Sequence, residues 1–299
     1  MAIFSGGPGN ELIVGSNNDD TIRGGGGDDT ILGAGGDDVL LGNRGEDSIE
    51  GGEGEDTLRG GRGDDTLIGD TGNDLIRGRR GDDRLIWNNG DGSDTMEGDD
   101  GFDVVEVNGA VDDGDNFELR ANGERVEFER LNLGNFVLDV DNVEQFEING
   151  LGGDDTLTVQ DLTGTDVQQV IFNGGDGNDS LDASLTNVEI IADGGDGDDT
   201  LIGGQADDTL IGGNGNNTYT GGEGADVFVV GFDGIDVIND FDSGEGDVLQ
   251  ISMMEFGVSS LDNFSYNSDS KELSYQNNQF AVINTVEPFS IMDDIALVE

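Results

Sequence analysis

The sequence predicts an all-β chain assembled from many short, repeated strands. Three observations carry that expectation. A nine-residue period runs unbroken from Gly6 to Ile86. Each period holds a single regular apolar position. Glycine, the residue most tolerant of tight turns, marks the same two positions of nearly every period.

The first array contains nine repeats: GGPGNELIV, GSNNDDTIR, GGGGDDTIL, GAGGDDVLL, GNRGEDSIE, GGEGEDTLR, GGRGDDTLI, GDTGNDLIR and GRRGDDRLI. Position 1 is Gly in all nine, and position 4 is Gly in eight, with Asn18 the exception. Position 6 is Asp in eight, with Glu11 the exception, and position 8 is Ile or Leu in all nine. One apolar position in nine matches neither the 3.6-residue helical period nor a heptad, so helix is excluded. Positions 7 to 9, as in TIL or TLI, make a short β segment, and positions 1 to 6 make a turn. Side chains alternate along a strand, so position 8 points inward and positions 7 and 9 point outward.

Trp87 and Asn88 interrupt the period, and two more units follow, NGDGSDTME (89–97) and GDDGFDVVE (98–106). These close a first segment, residues 1–106. Residues 107–193 read as a strand-rich insert that joins two repeat arrays or continues them, with isolated repeats at 150–158 (GLGGDDTLT) and 174–182 (GGDGNDSLD). Within it FELRANGERVEF (117–128) predicts a hairpin with Asn122-Gly123 as its two-residue turn. That turn sets Leu119 against Val126, Phe117 against Phe128, Glu118 against Glu127 and Arg120 against Arg125, with opposite charges on the diagonals. Further strands are expected at Phe136–Val140, Gln145–Ile148, Val167–Phe172 and Val188–Ala192. A second array occupies 194–234, with GGDGDDTLI, GGQADDTLI, GGNGNNTYT and GGEGADVFV. Residues 235–299 have few glycines and ordinary β alternation, and are expected to form a β cap over the last turn.

The chain has 299 residues, a formal net charge of −55, no Cys and no His. Such a surface repels nucleic acid and anionic lipid and selects multivalent cations. Disulfides, a His-based zinc site, a Ser-His-Asp triad and a Cys-His pair are excluded. No apolar run approaches the ~18 residues of a membrane helix. The start, MAIFSGGPGN, lacks the basic and apolar regions of a cleavable signal peptide, so export is expected by another route. Low hydrophobicity with high charge is also the composition of a disordered chain, so the acids must be neutralised before the chain compacts.

Calcium suits that task, because it takes six to eight oxygen ligands from carboxylates and backbone carbonyls. Aspartates stacked one per turn at about 4.8 Å repel by about 0.9 kcal/mol per pair even in water, and a divalent ion between them reverses the sign. One small aliphatic side chain per repeat buries too little surface to offset ordering the array. Ion binding is therefore expected to supply most of the folding energy.

The repeat pattern resembles the RTX (repeat-in-toxin, haemolysin-type) calcium-binding repeat family, closely over 6–106 and 194–229 and loosely between. The resemblance implies a parallel β-roll or β-helix with two repeats per turn and calcium in the turns. It also implies export by type I secretion machinery, with an uncleaved signal within 235–299. The implied ligands are position-6 carboxylates and loop carbonyls of same-side neighbours. The carboxylates are Asp20, Asp29, Asp38, Asp47, Asp56, Asp65, Asp74, Asp83, Asp94, Asp103, Asp155, Asp179, Asp199, Asp208 and Asp226. The turn glycines are Gly24, Gly27, Gly33, Gly36, Gly42, Gly45, Gly51, Gly54, Gly60, Gly63, Gly194, Gly197 and Gly203. Sites beside Glu11, Ala206 and Asn217 are expected to be weak or missing. Same-side pairs number roughly seven in the first array and two in the second, with dissociation constants of roughly 0.1–1 mM. The position-5 acids Asp19, Asp28, Asp37, Glu46, Glu55, Asp64 and Asp82 are expected to face solvent and concentrate calcium without ligating it.

Two repeats per turn separates position 9 by parity. Val14, Leu32, Glu50, Ile68 and Ile86 fall on one outer face, and Arg23, Leu41, Arg59 and Arg77 on the other. The aliphatic face either docks or simply follows β propensity. Three functions remain open. One is a secreted calcium-binding structural protein of the cell surface or extracellular matrix that self-assembles into filaments or layers. Another is a calcium-stabilised adhesin or carbohydrate-binding module. The last is a non-catalytic remnant or accessory of an RTX exoenzyme. An enzyme is not expected: HExxH cannot exist without histidine, and GxSxG is absent.

Overall fold

The computed structural model describes residues 1–253, 257, 259–286 and 288–298. The cap and secretion-signal segment 235–299 includes Met254, Glu255, Phe256, Val258, Glu287 and Glu299, which lie outside the described residues. The chain forms two compact units, nearly all β. The first comprises Met1–Gly109, Phe117–Ile148 and Leu162–Gln168, and the second Ala110–Asn116, Asn149–Asp161 and Gln169–Glu299.

In the first unit, successive repeats enter two parallel sheets alternately. Thr21 pairs with Val39, Val39 with Thr57 and Thr57 with Leu75 in one sheet. Leu12 pairs with Thr30, Thr30 with Ser48, Ser48 with Thr66 and Thr66 with Arg84 in the other. Every step is 18 residues, so one turn of the β-solenoid is two repeats and position 9 separates by parity as expected. Position 8 makes the core: Ile22, Ile31, Leu40, Ile49, Leu58, Leu67, Ile76 and Leu85 are fully buried.

The interruption at Trp87 shows how phase survives an insertion. Arg84 pairs with Val104 and Leu75 with Thr95, so the step grows to 20 residues. Two added residues leave strand alternation intact, and Leu85 and Trp87 both point inward. Trp87 stacks on Phe136 with ring centroids 3.8 Å apart and donates its indole N–H to the Gly92 carbonyl at 3.0 Å.

The hairpin corrects its predicted register. Asn122 pairs with Arg125, Arg120 with Glu127 and Leu119 with Phe128, so the turn is Gly123-Glu124 and not Asn122-Gly123. Gly123 alone of the turn takes a positive φ, +75°, whereas an Asn-Gly type I′ turn would need one at both residues. Each partner moves by two residues, so every side chain keeps its predicted face. The shift replaces the repulsive Arg120–Arg125 pairing. Arg120 instead donates to Glu127 at 2.7 Å, to Glu129 at 2.7 and 2.9 Å and to Glu118 at 3.0 Å. The four further expected strands form as Phe136–Asp141, Gln145–Gly152, Gln169–Asp176 and Glu189–Asp196, three of them running well into the glycine turn that follows.

In the second unit the repeats at 150–158 and 174–182 stack in register with the second array. Thr156 pairs with Ser180, Ser180 with Thr200, Thr200 with Thr218 and Thr218 with Val237. After the array, Asp236–Phe241 pairs in parallel with Asn278–Thr285, which continues antiparallel through Glu272–Tyr275 to Phe264–Asn267. Aromatic rings fill this region: Phe264 lies 4.9 Å from Tyr275, Tyr266 4.9 Å from Phe289 and Phe241 5.4 Å from Phe289. Among the described residues no helix is long and apolar enough to cross a membrane.

Candidate metal centre

All fifteen predicted position-6 aspartates are buried, none more than 3% exposed. They stand in rows. In the first unit the N–H of Asp20 donates to Oδ1 of Asp38, Asp38 to Asp56, Asp56 to Asp74 and Asp74 to Asp94, at 2.7–2.8 Å. The alternate repeats form a second row in which Asp29 donates to Asp47, Asp47 to Asp65, Asp65 to Asp83 and Asp83 to Asp103, each at 2.8 Å. In the second unit a row runs Asp115, Asp155, Asp179, Asp199, Asn217, Asp236 with steps of 2.6–2.9 Å. Another runs Asp208, Asp226, Asp247 at 2.9 and 3.0 Å.

The other carboxylate oxygen behaves differently. Oδ2 of Asp29, Asp38, Asp47, Asp56, Asp65, Asp74, Asp83, Asp103, Asp155, Asp179 and Asp199 has no hydrogen-bond partner. In each case it lies against position 1 of its own repeat. A Cβ on Gly24, Gly33, Gly42, Gly51 or Gly60 would meet Oδ2 of Asp29, Asp38, Asp47, Asp56 or Asp65 at under 3.0 Å, and Gly194 stands likewise against Asp199. These glycines do not take positive φ, so position 1 is glycine for room. Position 4 is glycine for conformation: Gly27, Gly36, Gly45, Gly54, Gly63 and Gly197 all have φ between +96° and +147°. Gly203 follows the position-1 rule, its Cβ space filled by Oδ2 of Asp208.

Desolvation pushes these carboxyls up, against the lowering pull of the donated amides. Asp65 and Asp74 rise to about 8, Asp83, Asp94, Asp155 and Asp226 to about 7, and Asp38, Asp103, Asp199 and Asp208 to about 6. Asp20 departs from the pattern: the Ala2 amide and the Ser16 hydroxyl hold it below the usual carboxylate range. Buried anionic oxygens without donors are costly. A hard divalent cation satisfies them, and a donor set of carboxylate and carbonyl oxygens without N or S is the kind calcium takes. Among the described residues no three acidic side chains converge on one point, so an ion here needs loop carbonyls as well.

The exceptions are informative. Asn217 occupies a rung and accepts the Asp199 N–H at 2.9 Å, but without charge. The position-5 acids are exposed as expected and also brace the turns: the N–H groups of Glu46, Glu55 and Asp82 donate to Asp28, Asp37 and Asp64 at 2.9–3.0 Å. Sequence reading missed Asp115, Asp236, Asp247 and Glu144. GFDGIDVIN (231–239) keeps Gly at 1 and 4, Asp at 6 and Ile at 8, so Asp236 was findable. DSGEGDVLQ (242–250) keeps only Asp at 6 and Leu at 8. Glu144, which accepts the Asp103 N–H at 2.8 Å from 41 residues away, carries no sequence signal.

The family model of the RTX calcium-binding nonapeptide repeat, in four copies, matches residues 5–40, 32–67, 59–86, 171–187 and 193–228. A search of curated proteins found no match. The matched stretches contain most of the rows described above, and their number implies several calcium ions.

Proposed function

From a chain built on RTX calcium-binding repeats, whose β-solenoid binds several calcium ions, we propose a secreted structural protein of the cell surface or extracellular matrix. It folds on meeting calcium outside the cell and assembles with copies of itself. The carrying observation is the set of buried carboxylates whose second oxygen has no partner. At cytosolic calcium those oxygens stay unsatisfied, the rows repel, and the chain remains extended enough to pass through type I secretion machinery. At extracellular calcium, ions held by the position-6 aspartates and turn carbonyls convert repulsion to cohesion. We read residues 1–106 and 194–234 as calcium rolls, 107–193 as the insert and 235–299 as cap and secretion signal. An RTX β-solenoid is a non-catalytic fold, and in this reading the scaffold is itself the function.

Circular dichroism across a calcium titration, paired with sizing, tests this. A coil-to-sheet transition centred at roughly 0.1–1 mM, with larger particles above it, is expected. Full sheet content in excess chelator would overturn the reading.

A further inference from the structure

We propose that calcium occupies the interior of the aspartate rows, and that the acids that open the rows, with those that close the rows of the second unit, are metal-independent struts. This rests on the calcium reading above and sharpens it. The interior carboxylates of the three longer rows have an unpartnered Oδ2. At the acids that open the rows of both units, and at those that close the rows of the second unit, a backbone amide from the same loop takes the place of the ion. Glu11 accepts the Gly7 N–H at 3.1 Å. Oδ2 of Asp20 accepts the Ser16 N–H at 2.9 Å and its hydroxyl at 2.7 Å. Oδ2 of Asp115 accepts the Ala110 N–H at 2.7 Å, and Oδ2 of Asp208 the Gly204 N–H at 2.6 Å. Those four open the rows, Glu11 because its N–H donates to Oδ1 of Asp29 at 2.9 Å.

Two acids that close rows are treated alike. Oδ2 of Asp236 accepts the Gly231 N–H at 3.3 Å, and Oδ2 of Asp247 the Asp242 N–H at 2.7 Å. In all six the donor lies four or five residues earlier. The physical reason is local. A bridging ion draws oxygens from two acidic turns, and a row-end rung has an acidic neighbour on one side only. An N–H aimed at a carboxylate oxygen supplies the missing positive pole and repels a cation from it. Asp20 and Asp208 therefore leave the ligand set expected from sequence.

Bound calcium per chain, measured by elemental analysis after dialysis against 2 mM calcium, tests this. Asp65→Asn and Asp179→Asn lose at least one ion each relative to wild type. Asp20→Asn and Asp236→Asn keep the wild-type count, even where they melt earlier. Loss of ions in the row-end variants, or a full count in Asp65→Asn, overturns the proposal. A wild-type chain that binds no calcium would instead sink the underlying reading. Should an interior variant fail to fold, terbium-soaked wild-type crystals decide: metal density at interior rungs and none beside Ser16 or Gly231 supports it, and the reverse overturns it.

Charge carries a second inference. In the first unit the turns of the even repeats, residues 15–20, 33–38, 51–56 and 69–74, contain no basic residue. The odd turns carry Arg44, Arg62, Arg79 and Arg80, and strands entering that edge end on Arg23, Arg59 and Arg77, so seven of the chain's twelve basic residues share one edge. Gly45 N–H bonds the Arg62 carbonyl and Gly63 N–H the Arg80 carbonyl, both at 2.9 Å, which sets these turns one above another. Arg77, Arg79 and Arg80 meet Glu97, Asp99 and Asp100. Arg23, Arg44, Arg59 and Arg62 are exposed and pair with no acid among the described residues, in a chain of net charge −55.

The geometry points to the acidic edge of a second copy as the partner. That edge presents Asp19, Asp37, Glu53 and Glu55 with the same turn spacing of about 4.8 Å, so rung can match rung. Such a contact joins unlike edges and propagates into layers. In sedimentation velocity at 2 mM calcium, wild type associates in 20 mM NaCl and separates in 500 mM. Arg44→Glu/Arg62→Glu remains monomeric at the wild-type calcium count. A calcium-loaded monomeric wild type, or association unchanged in the double variant, overturns the inference. Salt-sensitive retention on heparin without self-association overturns it too, in favour of a foreign polyanion.

Discussion

Residues 6–86 and the described residues of 236–298 are both mainly β structure, and they are held together in opposite ways. In the array each repeat after the first buries one aliphatic side chain and one carboxylate, and most of those carboxylates keep an unpartnered oxygen. In the C-terminal region phenylalanines and tyrosines pack ring against ring. Its buried acids are supplied from within: Asp236 and Asp247 take loop amides, and Asp294 takes the Ser290 N–H at 2.6 Å. The difference teaches that polar satisfaction, more than strand content, decides which part of a β-solenoid needs a metal.

Chelation is the strongest way to break the comparison. In excess chelator the array should lose its hydrogen-exchange protection, while 236–298 keeps the slowest exchange of the chain. Equal loss in both regions would erase the distinction. Acid should partly substitute for the metal. A carboxyl raised above its unfolded value of about 3.9 favours the fold below that pH and gives up its contribution as pH rises through the folded value. For Asp38 at about 6 and Asp65 and Asp74 at about 8, calcium-free sheet content should be highest near pH 4 and fall between about 6 and 8. Calcium affinity should move the other way, since ligands must deprotonate. Circular dichroism against pH in chelator reads the first, and calcium titrations at pH 6 and 8 the second.

Core truncations sharpen the contrast. With calcium saturating, Phe241→Ala should cost about 4 kcal/mol and Leu67→Ala about 3 kcal/mol in denaturant unfolding. Only Leu67→Ala should also shift the calcium midpoint upward. Gly60→Ala puts a Cβ against Oδ2 of Asp65 and should cost about 1–3 kcal/mol, more weakly felt at high calcium. Gly123→Ala, at φ +75° with open space around it, should cost about 1–2 kcal/mol at any calcium concentration.

Much of this was legible before any coordinates. The nine-residue period and the inward position 8 follow from spacing and alternation within a few residues, while the two-repeat turn with its parity of outer faces and the position-6 ligands were implied by the resemblance to the RTX repeat. Tertiary structure decided the rest. The hairpin turn moved to Gly123-Glu124 because pairing Arg120 with Glu127 depends on both strands at once. Glu144 became a rung for Asp103, and the repeats at 150–158 and 174–182 joined the second array, because stacking depends on which turn lies next and not on distance along the chain. Which aspartate is left with a bare oxygen, and which borrows an amide from its own loop, was settled the same way. Asp29 and Asp208 both stand in a GGxxDDT stretch, and apart from Ala206 at position 4 of the second it is the neighbouring turns and the path of the loop that tell them apart.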